Sequence, residues 1–327
     1  MIKLNIKKFR LEMLELLSSF RLSQEDSNIL LDHLFLAERY RCGSYGFATL
    51  PYHLNGLKNG SINPSSNLSA SNLSNNILSI DGQWGLGHVI AEKSSKLLTE
   101  LAKKEGLACA IIKNCNYIGM LSQYGDFMAK KNCAGIIMSN GHGSGIIVAP
   151  HEGINKRLST NPICFFCKAS PFNLVCDFST SECGGSRFKI QHSNLAENEF
   201  SIKKEDVLIN PNKPLEDINN ALKTFGGFKG YALSFFVDIF AGGLIGDNMS
   251  GISNKYGNGI FMIAIDLKKF DDNLNQRLQR FIKWVTSSDS KNDTKVLVPG
   301  ERRHQTQEQE FLSIHPSILS SIRKFKA

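Results

Sequence analysis

Ala108-Cys-Ala-Ile-Ile112 runs into the polar knot Asn114-Cys-Asn-Tyr-Ile-Gly119, and Gly135-Ile-Ile-Met138 runs into Ser139-Asn-Gly-His-Gly-Ser-Gly145. A third segment passes through Val148-Ala-Pro150 and reaches Ser159-Thr-Asn-Pro162. Short, unalternating runs of Ile, Val, Ala and Cys suit strands buried on both faces, and α/β proteins carry their chemistry on polar loops at strand ends. The stretch therefore predicts an enzyme-like α/β domain.

Working outward, Ile77-Leu-Ser-Ile80 reads as a strand and Asp81-Gly82 as a turn. A long helix follows from Val89 to Lys104, with Ile90, Leu97, Leu98 and Leu101 on one face. A second helix, Leu121 to Lys131, separates the two opening strands, so the alternation predicts parallel βαβ connections. Upstream lies a helical lobe. Phe9, Met13, Leu16, Leu17 and Phe20 recur at helical spacing, Ser23 caps a second helix, Arg41 to Gly46 breaks it, and a third begins near Pro51. Asn59-Gly60 and Asn63-Pro64 end the lobe, and the Ser- and Asn-rich residues 64–76 read as a linker or an edge-strand approach.

Downstream, Ile163 to Cys167 and Phe172 to Cys176 look like two strands, and residues 188–216 are polar and irregular. Gly226-Gly-Phe-Lys-Gly230 opens the helix Tyr231 to Leu244, too short to span a membrane and too apolar all round for a surface. Gly259 to Ile265 is a late strand, Asn273 to Thr286 an amphipathic helix, and a final helix completes the chain.

The formal net charge of +8 over 327 residues points to an anionic partner. Lys and Arg are interspersed with Asp and Glu, without a basic stripe, which argues against nucleic acid and leaves a dinucleotide or small acid. No apolar run approaches the roughly 18–20 residues of a membrane span, and the first eight residues lack a signal-peptide core. A cytoplasmic protein is expected, with its eight cysteines reduced. Cys164-Phe-Phe-Cys167 has the spacing of half a zinc site, but no second pair follows, so no metal is expected.

Three motifs invite two interpretations each. Gly226 to Gly230 can present backbone N–H groups and Lys229 to a phosphate or carboxylate, or simply lead into a buried helix. Asp177 to Ser181 offers a carboxylate and three hydroxyls, or a capped turn. Pro299-Gly-Glu301 is a binding loop or an ordinary turn. His142 and His151 flank the central loops, either as acid–base groups or as surface side chains. No Gly-x-Gly-x-x-Gly follows a strand, so the Rossmann fingerprint is missing.

Taken in order, eight segments resemble the second type of malate/L-lactate dehydrogenase. They are Gly56 to Pro64, Asp81-Gly82 with Gly85-Leu-Gly-His-Val-Ile-Ala91, Asn114 to Gly119, Ser159 to Pro162, Asp177 to Ser181, Gly226 to Tyr231, Ala241 to Gly246 and Val298 to Glu301. That family includes ureidoglycolate dehydrogenase, diketogulonate reductase, sulfolactate dehydrogenase and the piperideine-carboxylate reductases. Lys255-Tyr-Gly through Trp284-Val-Thr-Ser287 is most similar to the diketogulonate reductase branch.

The resemblance implies an α/β, mixed-sheet, non-Rossmann dehydrogenase fold with an N-terminal helical lobe, a homodimer, and NAD or NADP as cofactor. Residues 1–76 would form the lobe, packed with 287–327. Residues 77–132 and 221–286 would form the substrate and dimer domain, and 133–220 the cofactor-binding domain. Cofactor contacts would fall on Ser139, on Asp177, Phe178, Ser179 and Thr180, on Lys229 and Gly230, and on Pro299, Gly300 and Glu301. Substrate contacts would fall on Ser44, Thr49, Asn116 and Thr160.

The family pattern has Ser-His-Gly where this chain has Ser44-Tyr45-Gly46, an arginine at Thr49, and Asn-His at Asn116-Tyr117. Its histidine would exchange a proton with the reacting oxygen, and its arginine would clamp a carboxylate. Here Tyr45 and Tyr117 become the proton donors or acceptors. Their ordinary pKa of about 10 makes them weaker acids than histidine, and Lys229 or the nicotinamide's own charge is expected to lower it. Thr49 cannot grip a carboxylate bidentately. Two outcomes stay open: a small 2-oxo or 2-hydroxy acid, or a related ketone or imine, as altered substrate; or a silent relative that binds a nucleotide or metabolite, or serves as a partner subunit.

Overall fold

The computed structural model describes residues 1–187, 207–208, 221–244, 246–270, 273–291, 294–306 and 309–326. The lobe begins with strand β1 (Ile2–Asn5), whose last residue caps helix α1 (Ile6–Ser18) by accepting from the Lys8 N–H at 3.1 Å. Ser23 does the same for α2 (Gln24–Arg39), accepting from the Asp26 N–H at 3.0 Å. Pro51 sits in the first turn of α3 (Leu50–Asn59), which ends at Gly60 in a left-handed conformation.

One core gathers Phe9, Met13, Leu30, Leu34 and Leu54 from these helices and Phe47 from the short turn before α3, together with Leu312, Ile314, Ile318 and Ile322 from near the other end of the chain.

Seven strands form the main sheet: β2 (Ser69–Ser74), β3 (Ile77–Asp81), β4 (Leu107–Cys115), β5 (Cys133–His142), β6 (Ile163–Cys167), β7 (Leu174–Phe178) and β10 (Gly257–Asp266). Their order is β2-β3-β4-β10-β5-β6-β7. A small antiparallel pair, β8 (Val207–Leu208) and β9 (Ala221–Leu222), stands apart, and β1 pairs with β11 (Phe311–Ile314), Ile2 opposite Ile314. That last pairing has no signature in the sequence, because each strand is four residues long.

The parallel connection predicted through α4 (Gly87–Glu105) is present, with Ile80 opposite Ile112. The connection through α5 (Leu121–Lys130) is not: β10 lies between β4 and β5, antiparallel to both, with Met262 facing Ala110 on one side and Ile137 on the other. An apolar run buried on both faces suits a central strand of either sense, so its neighbours cannot be read from it. The Ser- and Asn-rich stretch forms the exposed edge strand β2.

Helices α4 and α5 cover one face of the sheet, burying Ile90, Leu98, Leu121 and Met128 against Ile112, Ile137 and Met262. Helix α6 (Phe228–Asp238), continued by a wider π turn over Ile239–Gly243, covers the other through Val237 and Ala241 against Ile111, Ile163 and Phe261.

The expectation that this helix is buried all round fails. Phe228, Phe235 and Phe236 are 61%, 50% and 56% exposed. Hydropathy reports the drive to be covered, not what supplies the cover. Helix α7 (Leu274–Thr286) buries none of its residues and leaves Trp284 75% exposed. A short helix α8 (Glu301–His304) and helix α9 (Pro316–Arg323) complete the fold.

Candidate active site

A cleft of about 620 Å³ opens where β4, β5 and β7 end and β6 begins. The loop after β4 enters it through Tyr117, Ile118 and Gly119, and just before that loop Asn114, in β4, is held left-handed at φ 53° while its amide donates to Asp81 Oδ2 at 2.9 Å. Asn116 is buried and points away from the cleft. Its amide donates to the carbonyls of Trp84 (2.7 Å) and Gly85 (3.1 Å), and its Oδ1 accepts from the Tyr52 hydroxyl at 3.5 Å. Asn116 thus locks one loop to another and aims its neighbour Tyr117 into the cleft.

Tyr117 Oη is 2.6 Å from Ser186 Oγ. Tyr45 reaches the same cleft from the lobe, its hydroxyl so close to Gly184 that a Cβ there would lie 2.2 Å away. Tyr256 also lines the cleft, and Tyr52 stands edge-on behind, 6.1 Å from Tyr117 and 5.7 Å from Tyr256.

Burial pushes the Tyr117 and Tyr45 phenols upward from their ordinary value. The Ser186 hydrogen bond opposes this at Tyr117, and Arg187 opposes it weakly at Tyr45. The expected lowering by Lys229 is therefore corrected. Lys229 is exposed at the start of α6, and desolvation of a phenolate outweighs any cation near these rings. Both phenols stay protonated and are hydrogen-bond donors.

Of the remaining predicted residues, Ser139, Thr160, Asp177, Phe178 and Ser179 line the cleft. Ser139 Oγ donates to the Gly259 carbonyl at 3.0 Å, which ties β5 to β10. The Thr160 carbonyl accepts from Ser179 Oγ (3.0 Å), Thr180 N (3.0 Å) and Thr180 Oγ1 (2.9 Å). Asp177 Oδ2 accepts from the Ser122 N–H at 2.8 Å, at the start of α5, and lies 3.9 Å from Arg303 Nη2. Burial raises the Asp177 pKa against those two partners.

Ser44, Thr49, Asn116, Thr180, Lys229, Gly230, Pro299, Gly300 and Glu301 do not line this cleft. Ser44 and Thr49 are buried beside it, Thr49 Oγ1 donating to the Gly46 carbonyl at 2.8 Å. Gly230 lets α6 approach Thr180, since a Cβ would meet the Thr180 carbonyl at 2.8 Å. Pro299 is exposed, and Glu301 accepts from Lys295 Nζ and from the Val298 N–H at 3.3 Å, closing its own turn. Gly300, at φ 94°, borders a second cavity of about 390 Å³ that shares Arg303 with the first.

His142 is not a loop side chain. It ends β5 fully buried, with Nδ1 2.6 Å from the Lys255 carbonyl. His151 is exposed in a turn near Phe228.

Sequence reading missed five residues. Ser186 follows a Gly-Gly pair soon after Asp177, and Arg303 follows Pro299-Gly-Glu301 by two residues; proximity to those motifs was the available signal. The others are the buried histidines. His33 (α2), His53 (α3) and His88 (α4) stack edge-on behind Tyr117, with centroid separations of 5.3 Å from His33 to His88, 5.1 Å from His53 to His88 and 5.8 Å from His88 to Tyr117. Among the described residues, both ring nitrogens of His53 and the Nδ1 atoms of His33 and His88 have no hydrogen-bond partner. Burial drives the His53 pKa down to about 3 and that of His88 well below its ordinary value. The His53 and His88 imidazoles are therefore neutral.

A cleft at the strand ends of a mixed sheet, bordered by tyrosine and serine hydroxyls and a buried carboxylate, sits on an α/β fold outside the Rossmann class. The chain belongs to the malate/L-lactate dehydrogenase family, whose profile matches residues 4–315. It is 28% identical over 326 residues to the malate/(S)-sulfolactate dehydrogenase of Methanothermus fervidus, covering 95% of this chain and 93% of that one. It is 27% identical over 281 residues to Delta(1)-pyrroline-2-carboxylate reductase 2 of Burkholderia multivorans, covering 82% and 81%. The solved malate dehydrogenase of Pyrococcus horikoshii shares the fold, with a TM-score of 0.87, 23% identity, and coverage of 99% of this chain and 94% of that one.

Proposed function

We propose that the chain is a NAD(P)-dependent oxidoreductase acting on a small 2-hydroxy or 2-oxo acid, or on a related ketone or imine, with Tyr117 as proton donor or acceptor. The observation that carries this is the convergence of Tyr117 and Tyr45 on the cleft that also holds Ser139, Thr160, Asp177, Phe178 and Ser179. The cleft's volume lies within the roughly 300–1,000 Å³ of small-molecule sites. Its hydroxyls and carbonyls suit the ribose and amide of a nicotinamide nucleotide, so the residues fit the group. Bound there, such a cofactor supplies or accepts a hydride.

The chain's own part is the proton. As a carbonyl carbon gains hydride, its π electrons move to oxygen, and Tyr117 Oη gives that oxygen its proton. Ser186 Oγ, 2.6 Å away, then donates to the phenolate. The buried, protonated state of Tyr117 suits donation to a far more basic alkoxide. Thr49 leaves the substrate end without a guanidinium at that position, which favours ketones and imines over substrates gripped by a carboxylate.

The exposed apolar faces of α6 and α7 support a homodimer. The free cysteines agree with a cytoplasmic setting.

That same position favours a second reading, a silent relative, because Thr49 Oγ1 is spent on the Gly46 carbonyl. Fluorescence titration with NADH and NADPH separates the two. Micromolar binding of either, followed by turnover of a 2-oxo acid, ketone or cyclic imine, supports the enzyme, and Tyr117→Phe should then lower kcat about 10²–10⁴-fold while leaving cofactor affinity unchanged. No binding at millimolar concentration favours the silent relative.

A further inference from the structure

The second cavity, of about 390 Å³, lies across Arg303 from the cleft, and the Arg303 side chain is a wall of both. Among the residues that border it are four cations, Arg39 at the end of α2, Lys130 at the end of α5, Lys168 after β6, and Arg303, against the single carboxylate of Asp126. Asp126 is already engaged. Its Oδ2 holds Lys130 Nζ at 2.7 Å, and its Oδ1 accepts from the Asn173 amide at 2.8 Å. The carboxylate that pairs with Arg303 is Asp177, and at 3.9 Å that pairing is loose.

A concave surface with an excess of positive charge focuses its field and concentrates anions. Arg and Lys together are the usual recognition set for a phosphate, Arg through its fork of N–H donors and Lys as a point charge. A ligand that occupies the cleft and continues past Arg303 enters this cavity. For a dinucleotide whose nicotinamide lies beside Tyr117, the part that arrives there is the adenosine. NADH would bring a neutral 2′-hydroxyl to these cations; NADPH would bring a phosphate monoester with a charge near −2.

Resting on the dinucleotide reading of the cleft, we propose that the cavity bordered by Arg39, Lys168 and Arg303 binds the 2′-phosphate of NADPH, making this chain selective for the phosphorylated cofactor. The test needs no substrate. NADPH, NADH, 2′,5′-ADP and 5′-AMP are titrated into the full-length protein and into Lys168→Glu, Lys168→Arg and Arg39→Gln.

The expected result is NADPH bound at least tenfold more tightly than NADH, with 2′,5′-ADP displacing NADPH at concentrations where 5′-AMP does not. Lys168→Glu and Arg39→Gln should each pull the NADPH:NADH ratio toward one without weakening NADH, while Lys168→Arg keeps it. Equal affinity for the two dinucleotides, or a preference for NADH, overturns the proposal and leaves the dinucleotide reading standing. Equal weakening of both by Lys168→Glu and by Arg39→Gln also overturns it. Binding of neither rejects both readings.

Discussion

His53 sits fully buried, and among the described residues neither of its ring nitrogens is hydrogen-bonded, an arrangement that an apolar side chain of similar size would replace at no loss of partners. Its pKa falls from an ordinary 6.5 to about 3, so between those values the unfolded chain takes up a proton that the folded chain refuses. Stability therefore rises with pH across that window and is lost as pH falls below about 6.5, at up to about 1.4 kcal/mol per unit for each such histidine. The urea midpoint of wild type should drop between pH 7 and pH 4.5, and that of His53→Leu should drop less. Equal slopes would mean that His53 is not held neutral.

The same three imidazoles mark a limit of sequence reading. His33, His53 and His88 lie on three different helices, and each alone is a polar residue on an otherwise apolar face, so only the fold reveals them as a column. Tyr117 and Tyr45, by contrast, were legible because their motifs are contiguous. Ser186 and Arg303 reach the cleft through space, from positions with no motif of their own.

At the level of elements, the first turn of α4 governs how Tyr117 is presented. A Cβ on Gly87 would lie 2.2 Å from the Asn116 carbonyl and 2.3 Å from that of Tyr117, both backbone atoms with little room to yield. Gly87→Ala should destabilise the protein by about 1–3 kcal/mol in denaturant unfolding and lower kcat further than that loss of folded protein explains. Unchanged stability would show that the loop after β4 tolerates a shift. Helix and strand positions near this loop followed from apolar periodicity and strand-end polarity. The place of β10 did not, since Gly259 to Ile265 reads as a buried strand without saying whose neighbour it is.

Among the described residues, helices α6 and α7 expose the aromatic side chains Phe228, Phe235, Phe236, Phe281 and Trp284. If a second copy covers α6, Phe235→Asp with Phe236→Asp should convert the dimer into a monomer in sedimentation velocity, with the far-ultraviolet circular dichroism preserved. A wild-type monomer at tens of micromolar would remove the dimer from the proposal.

The insertion of β10 between β4 and β5 also sets an order of events. The two strands it separates are complete by residue 142, yet the strand that must join them spans residues 257–266. During synthesis the half-sheets wait, their inner edges unpaired, until more than a hundred further residues have left the ribosome. Folding of this chain is thus governed by long-range closure, slow in refolding and open to edge-to-edge aggregation in any nascent fragment that stops short of residue 266.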